Sequence, residues 1–226
     1  MQQLDENLWI SGSPQRFVGI EVGARMTVIR LGSGQLLLHS PVAATPELVD
    51  EVKALGSVGC LVAPNRFHHL YLDQWQALFP EVPTYGAPGL DKKRPDLKID
   101  VVLGEHPPAI WEETIGQVFA RGFPMANEIV FFHRPSATLI ATDLAFNIGP
   151  SSPLFSRVFF RLGGAYGRLA PTLLERIMIR DRPAFRESLA AILEWPFERV
   201  IVAHGDVVET GGRAEFTRGY AWLLDR

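Results

Sequence analysis

The run Val58–Ala63 (VGCLVA) limits most tightly what this chain can fold into. It is six residues long, apolar, and closed by Pro64. A run that short reads as a buried strand rather than a helix, and the proline, which cannot donate to a strand ladder, closes it. Beyond it stand Asn65, Arg66, two adjacent histidines, His68 and His69, and then Asp73. A strand that ends in a polar loop carrying imidazoles and a carboxylate is a common way to build a metal or acid–base site. The same format recurs twice. Ala137–Thr142 (ATLIAT) ends at Asp143, and Arg199–Ala203 (RVIVA) ends at His204-Gly205-Asp206.

The segments between these runs fix the fold class. Leu8–Ser11, Phe17–Val22, Arg25–Arg30 and Gln35–His39 carry strand-type residues, and Gly23 and the Gly32-Ser33-Gly34 turn punctuate the last three. They predict an antiparallel meander. Thr45-Pro46 then starts a helix with Leu48, Val49, Val52 and Leu55 on one face. The order strand, helix, strand predicts that Gln35–His39 and Val58–Ala63 are parallel neighbours. Leu72–Leu78 predicts a short helix, and 82–87, 99–103, 115–119 and 128–133 predict further strands. Residues 150–180 read as a helical insertion, with pieces at 154–162 and 170–179. Asp181 caps another helix with Phe185, Leu189, Ile192 and Leu193 on one face, and 215–224 predicts the last.

The chain has 226 residues, enough for a sizeable core. Apolar residues make up 47%, so a packed domain rather than disorder is expected. With 22 basic against 25 acidic residues, no nucleic-acid partner is expected. Cys60 is the only cysteine, which rules out an intrachain disulfide and a cysteine-based zinc site. It lies inside the apolar run and reads as a core residue. A cytoplasmic location follows as the expectation. The opening residues have no basic stretch followed by a long apolar one, so no signal peptide is expected, and no window is apolar enough for a membrane span.

Neighbouring side chains diverge along a backbone, so one of His68 and His69 is expected at a site and the other outside it. Asp143 reads as a carboxylate at a sheet rim or as a turn cap. His204-Gly205 pairs a nitrogen ligand with a residue that allows close backbone approach.

On these residues the chain resembles the metallo-β-lactamase superfamily, in a sequence-divergent branch with a degenerate metal-binding motif. The resemblance covers nearly the whole length. It implies an α/β fold: one domain over 1–226, a four-layer αββα sandwich of two stacked mixed sheets flanked by helices. It also implies a His-x-His-x-Asp-His loop, a further histidine, a bridging aspartate and a final histidine, holding two zinc or iron ions. With His69 matched to the last histidine of that loop, His68 falls at its aspartate, and Arg66 and Pro64 fall at its first two histidines. Residues 122–127 hold no histidine either. The first metal position is thus lost, and the Arg66 cation would repel an ion there.

The second position is retained in His69, Asp143 and His204, read as both ligands and catalytic residues. His68 completes the ligand set, or Asp73 does in another register. One zinc or iron ion is implied, or none. His39 stands where the family has an acidic residue that orients the loop. His106 and His133 read as structural. The implied activity is hydrolysis of an unspecified ester, thioester or phosphodiester, a small molecule. The alternative is a non-catalytic protein of the same fold that has lost its metal. The phenylalanines of the insertion, Phe155, Phe159 and Phe160, either cover the core or meet a membrane or a second copy of the chain.

Overall fold

The computed structural model describes residues 1–225. The chain opens with β1 (Gln2–Asp5), β2 (Leu8–Ser13), the short strands β3 (Arg16–Phe17) and β4 (Ile20–Glu21), β5 (Ala24–Arg30) and β6 (Leu36–His39). Helix α1 (Pro46–Leu55) leads into β7 (Val58–Ala63), followed by α2 (Leu72–Leu78), β8 (Thr84–Gly86), α3 (Leu90–Lys93) and β9 (Val101–Val102). The second half holds β10 (Ile115–Phe119), β11 (Ile129–His133), β12 (Thr138–Ile140), α4 (Leu154–Leu162), α5 (Leu173–Met178), α6 (Arg182–Leu193), β13 (Arg199–Ile201) and α7 (Gly212–Leu224).

Among the described residues, one sheet runs β1-β2-β5-β6-β7-β8-β9 and a second runs β10-β11-β12-β13. Strand alternation sorts their side chains into layers. Leu37, Cys60 and Val62 of the first sheet meet Ile129, Phe131, Ile140 and Ile201 of the second in an apolar seam between the sheets. Leu36, Leu38 and Leu61 point the other way, onto Val49 and Val52 of α1 and Trp75 of α2. Val130, Phe132 and Val200 point onto Phe185 and Leu189 of α6 and Phe216 of α7. The result is the four-layer αββα sandwich. Each fully buried Leu, Ile or Phe of these layers contributes roughly 1.5–3 kcal/mol.

The local signals act where expected. The Thr45 hydroxyl accepts from the Leu48 amide at the start of α1, with Pro46 in the first turn. Strands β6 and β7 are parallel, with His39 opposite Val62. Cys60 is buried, and burial pushes its thiol up to about 12, as suits a core residue.

The expectation for residues 17–22 fails. Residues 17–22 are not a strand of the main meander, because β2 pairs directly with β5. Instead β3 and β4 fold on each other around Val18 and Gly19, both at positive φ, the conformation a tight hairpin turn requires. Ile20 and Val22 then pack away from the sheet, with Phe146, Ile148 and Phe160 of the later insertion. The insertion itself holds α4 and α5. The second is shorter than expected because Ala170 bridges Phe146 in extended backbone and Thr172 caps the helix only afterwards.

Candidate metal centre

The three apolar strands named at the outset all release their chain at one rim. The parallel register of β12 and β13 pairs Ile140 with Ile201, so Asp143 and His204 each stand three residues beyond a paired position and emerge together. His68 comes from the loop after β7, in the other sheet. Each of the three offers one ligand atom, and these atoms lie within 4.8 Å of one another. His68 Nε2 is 3.4 Å from Asp143 Oδ2, and His204 Nε2 is 3.3 Å from Asp143 Oδ1. Ligands at 2.0–2.2 Å from a tetrahedral ion stand about 3.4 Å apart, so the two His–Asp spacings suit a single divalent ion.

The far side of each ring is tied down. His204 Nδ1 donates to the Gly23 carbonyl oxygen at 2.7 Å, which turns Nε2 toward Asp143. His68 Nδ1 lies 2.7 Å from the Ser40 hydroxyl. Such partners fix the tautomer of a metal-binding histidine. Burial by itself would raise the Asp143 carboxyl. The charges of His68 and His204 and their hydrogen bonds outweigh it and hold the group well below the usual carboxylate range.

A buried polar knot supports this trio. Asn65 Oδ1 accepts from the Phe67 and His68 amides, each at 2.8 Å, and so shapes the loop that carries His68. Its Nδ2 reaches Asp143 Oδ2 at 2.6 Å, Thr142 Oγ1 at 2.9 Å and Glu128 Oε2 at 3.1 Å. Glu128 accepts in turn from the Thr142 and Asp143 amides. Burial first, and then the Asp143 charge, push the Glu128 carboxyl up to about 7. Neither Asn65, Glu128 nor Ser40 stands out by residue type. The legible signals were an asparagine directly after a strand-ending proline and a glutamate heading an apolar strand.

The histidines do not divide as expected. His68, aligned with the loop aspartate of the resembled family, joins the trio, and His69 stands outside it. His69 Nδ1 accepts from Arg94 Nη1 at 2.9 Å. Burial, then the charges of Lys93 and Arg94, push His69 down to about 4. The reason is the divergence of adjacent side chains: the Asn65 turn aims one ring at Asp143 and leaves the other to face α3. Asp73 is exposed in the first turn of α2, away from the ligand set.

His39 is buried edge-on to Phe131 and pushed down to about 3 by burial and by the charge of His68. The bond to the His68 ring comes from its neighbour Ser40. His133 lies at the far end of β11, paired with Thr138 and bonded to the Ser136 hydroxyl, and His106 is exposed in a loop. Arg66 donates to the Pro124 carbonyl oxygen.

The trio lines one wall of a cavity of about 330 Å³. Much of the remaining wall is apolar and comes from the β3–β4 hairpin, α4 and α5. Phe160 is buried, whereas Phe155, Phe159 and Leu162 are exposed. No helix among the described residues is long and apolar enough to cross a membrane.

Comparison with known structures places this architecture. A metallo-β-lactamase from Pontibacter korlensis superposes with a TM-score of 0.68 at 14% identity, covering 100% of this chain and 98% of that one. The metallo-β-lactamase FIM-1 from Pseudomonas aeruginosa in its mono-zinc form gives 0.66 at 12% identity, covering 99% and 93%. A metallo-β-lactamase from Hirschia baltica gives 0.65 at 13% identity, covering 98% and 95%.

The chain has the metallo-β-lactamase fold.

Within that fold, residues 5–90 match a family model described as a domain of unknown function, DUF4336. This stretch includes β7 and both loop histidines but neither Asp143 nor His204. Among curated proteins none matches the chain in sequence.

Proposed function

We propose that this protein is a mononuclear metal-dependent hydrolase acting on an ester, thioester or phosphodiester. The convergence of His68, Asp143 and His204 from two sheets onto one point carries the reading. The metallo-β-lactamase fold supports it, and the mono-zinc form of one structural neighbour shows that a single ion occurs within this fold.

His68 Nε2, the Asp143 carboxylate and His204 Nε2 would hold one zinc or iron ion. When bound, such an ion supplies a Lewis acid that polarises a carbonyl or phosphoryl oxygen and acidifies a water. The chain's own residues do the rest. Ser40 and the Gly23 carbonyl hold the protons on Nδ1 of the two rings. Asn65 Nδ2 donates to Asp143 Oδ2 and orients the carboxylate. The apolar wall of the cavity excludes water from the side of a bound substrate.

Metal analysis of protein purified without added metal tests this. The expected result is near-stoichiometric zinc or iron, sharply reduced in His204→Ala and in Asp143→Ala. Unchanged metal in both variants would overturn the assignment. A second reading, a non-catalytic protein of this fold, draws on Arg66 and Pro64 at positions where the resembled family has histidines. Metal-free protein that takes up no added zinc or iron would favour it.

A further inference from the structure

Most of the polar groups that line the cavity are already paired, Lys93 Nζ with the Arg66 carbonyl oxygen, and Arg16 is exposed to solvent. Ser40 Oγ is engaged by His68. Gln15 accepts from the Tyr71 hydroxyl and donates to the Arg16 carbonyl oxygen. Thr172 and Glu175 close on each other in a capping box, the Glu175 carboxylate accepting from the Thr172 amide at 2.8 Å. A sugar, nucleotide or peptide bound here would bury its own polar groups against partners that are already paired, at a cost of about 1–3 kcal/mol for each. Apart from the exposed Arg16, what remains to greet a ligand is apolar: Phe17, Ile20, Phe146, Phe160, Leu174 and Met178. The His68–Asp143–His204 trio stands in the same wall as the one reactive feature.

We infer that the cavity takes the straight acyl chain of an acyl ester or thioester, with the carbonyl at the trio. This rests on the hydrolase reading for the position of the carbonyl, while the chain pocket belongs to the protein itself. A space of about 330 Å³ holds roughly ten methylene groups at ~30 Å³ each, the share of one water in the liquid. Phe17 and Leu174 sit at the rim, 58% and 49% exposed, with Leu70 and Phe159 also partly exposed in the lining. They offer apolar contact to a chain on its way in.

The test is calorimetric titration of metal-free protein with straight 1-alkanols from butanol to decanol, which need neither metal nor turnover. Affinity is expected to rise about fourfold per added methylene, the fold-change of burying one CH₂. The double variant Phe17→Ser/Leu174→Ser, altered only where the side chains are half in solvent, should weaken decanol several-fold and leave butanol unchanged. Affinity that does not change with chain length overturns the inference. So does a rising series that the double variant leaves untouched, since the chain then binds elsewhere. A rising, variant-sensitive series in protein that takes up no zinc or iron upholds the acyl pocket and removes only the hydrolase reading.

Discussion

Ser40 offers a sharp test of how the site is held. It is buried, its amide donates to the Val62 carbonyl oxygen at 2.9 Å, and its hydroxyl lies 2.7 Å from His68 Nδ1. It also sits at φ +54°, a left-handed conformation that costs an ordinary residue about 1–2 kcal/mol. Ser40→Ala keeps the strain and removes the partner of the His68 ring. An orphaned buried donor costs about 1–3 kcal/mol, and 1.4 kcal/mol is a factor of ten, so metal affinity should drop roughly 10–100-fold. Ser40→Gly loses the same hydroxyl but relieves the backbone. Its metal affinity should match that of Ser40→Ala, while its metal-free form should be more stable by about 1 kcal/mol after glycine's greater unfolded-state freedom is deducted. Competition with a chromophoric chelator measures the first quantity and urea unfolding the second. Parent-like metal affinity in both variants would refute the role of the hydroxyl. Equal stability of the two would refute the strain.

His69→Ala should leave metal content unchanged, because that ring faces Arg94; metal loss on the scale of His204→Ala would return His69 to the ligand set. Asn65→Asp would replace the amide that separates Asp143 from Glu128 with a third carboxylate. A cost of roughly 3–5 kcal/mol is expected by urea unfolding, and parent-like stability would contradict it. Gly205→Ala places a Cβ 2.1 Å from the Asn147 carbonyl oxygen at φ +96°, so both stability and metal binding should fall. Burial pushes His133 down to about 4 from an unfolded value near 6.5, so between those pH values the unfolded chain binds a proton that the folded one refuses. Its contribution is complete above pH 6.5 and falls away as the pH drops. His133→Gln should therefore lose about 2 kcal/mol less stability than the parent between pH 7 and pH 4.5, and identical losses would refute this.

The strands that carry the site were legible because their signal is local. Val58–Ala63, the segment ending at Asp143 and the segment ending at His204 are short apolar runs with ligand-type residues at one end, and burial on both faces leaves no polar alternation to confuse them. The start of α1 was legible from Thr45-Pro46 for the same reason. What escaped depends on contacts across the chain. Asn65 matters through Glu128, 63 residues away in sequence, and His204 is oriented by Gly23, 181 residues away. The choice between His68 and His69 hung on one turn whose direction an asparagine side chain sets. Phe17–Val22 reads as a strand by composition but leaves the sheet because the insertion gives Ile20 another apolar surface to cover.

Arg25, in β5 of the first sheet, donates to the carbonyl oxygens of Val202 and Gly205, which flank His204 at the end of β13 in the second. One guanidinium thus stitches the two halves of the molecule together within a residue of the ligand trio. Neither half, folded alone, owns more than a fragment of the donor set. On the proposed metal reading, loading with an ion would follow docking of the halves and would act as a seal on their union. By mass action an ion present at a thousand times its dissociation constant would then resist separation of the halves by about 4 kcal/mol. The rate at which chelator strips such an ion would then be a clock for how often the seam opens.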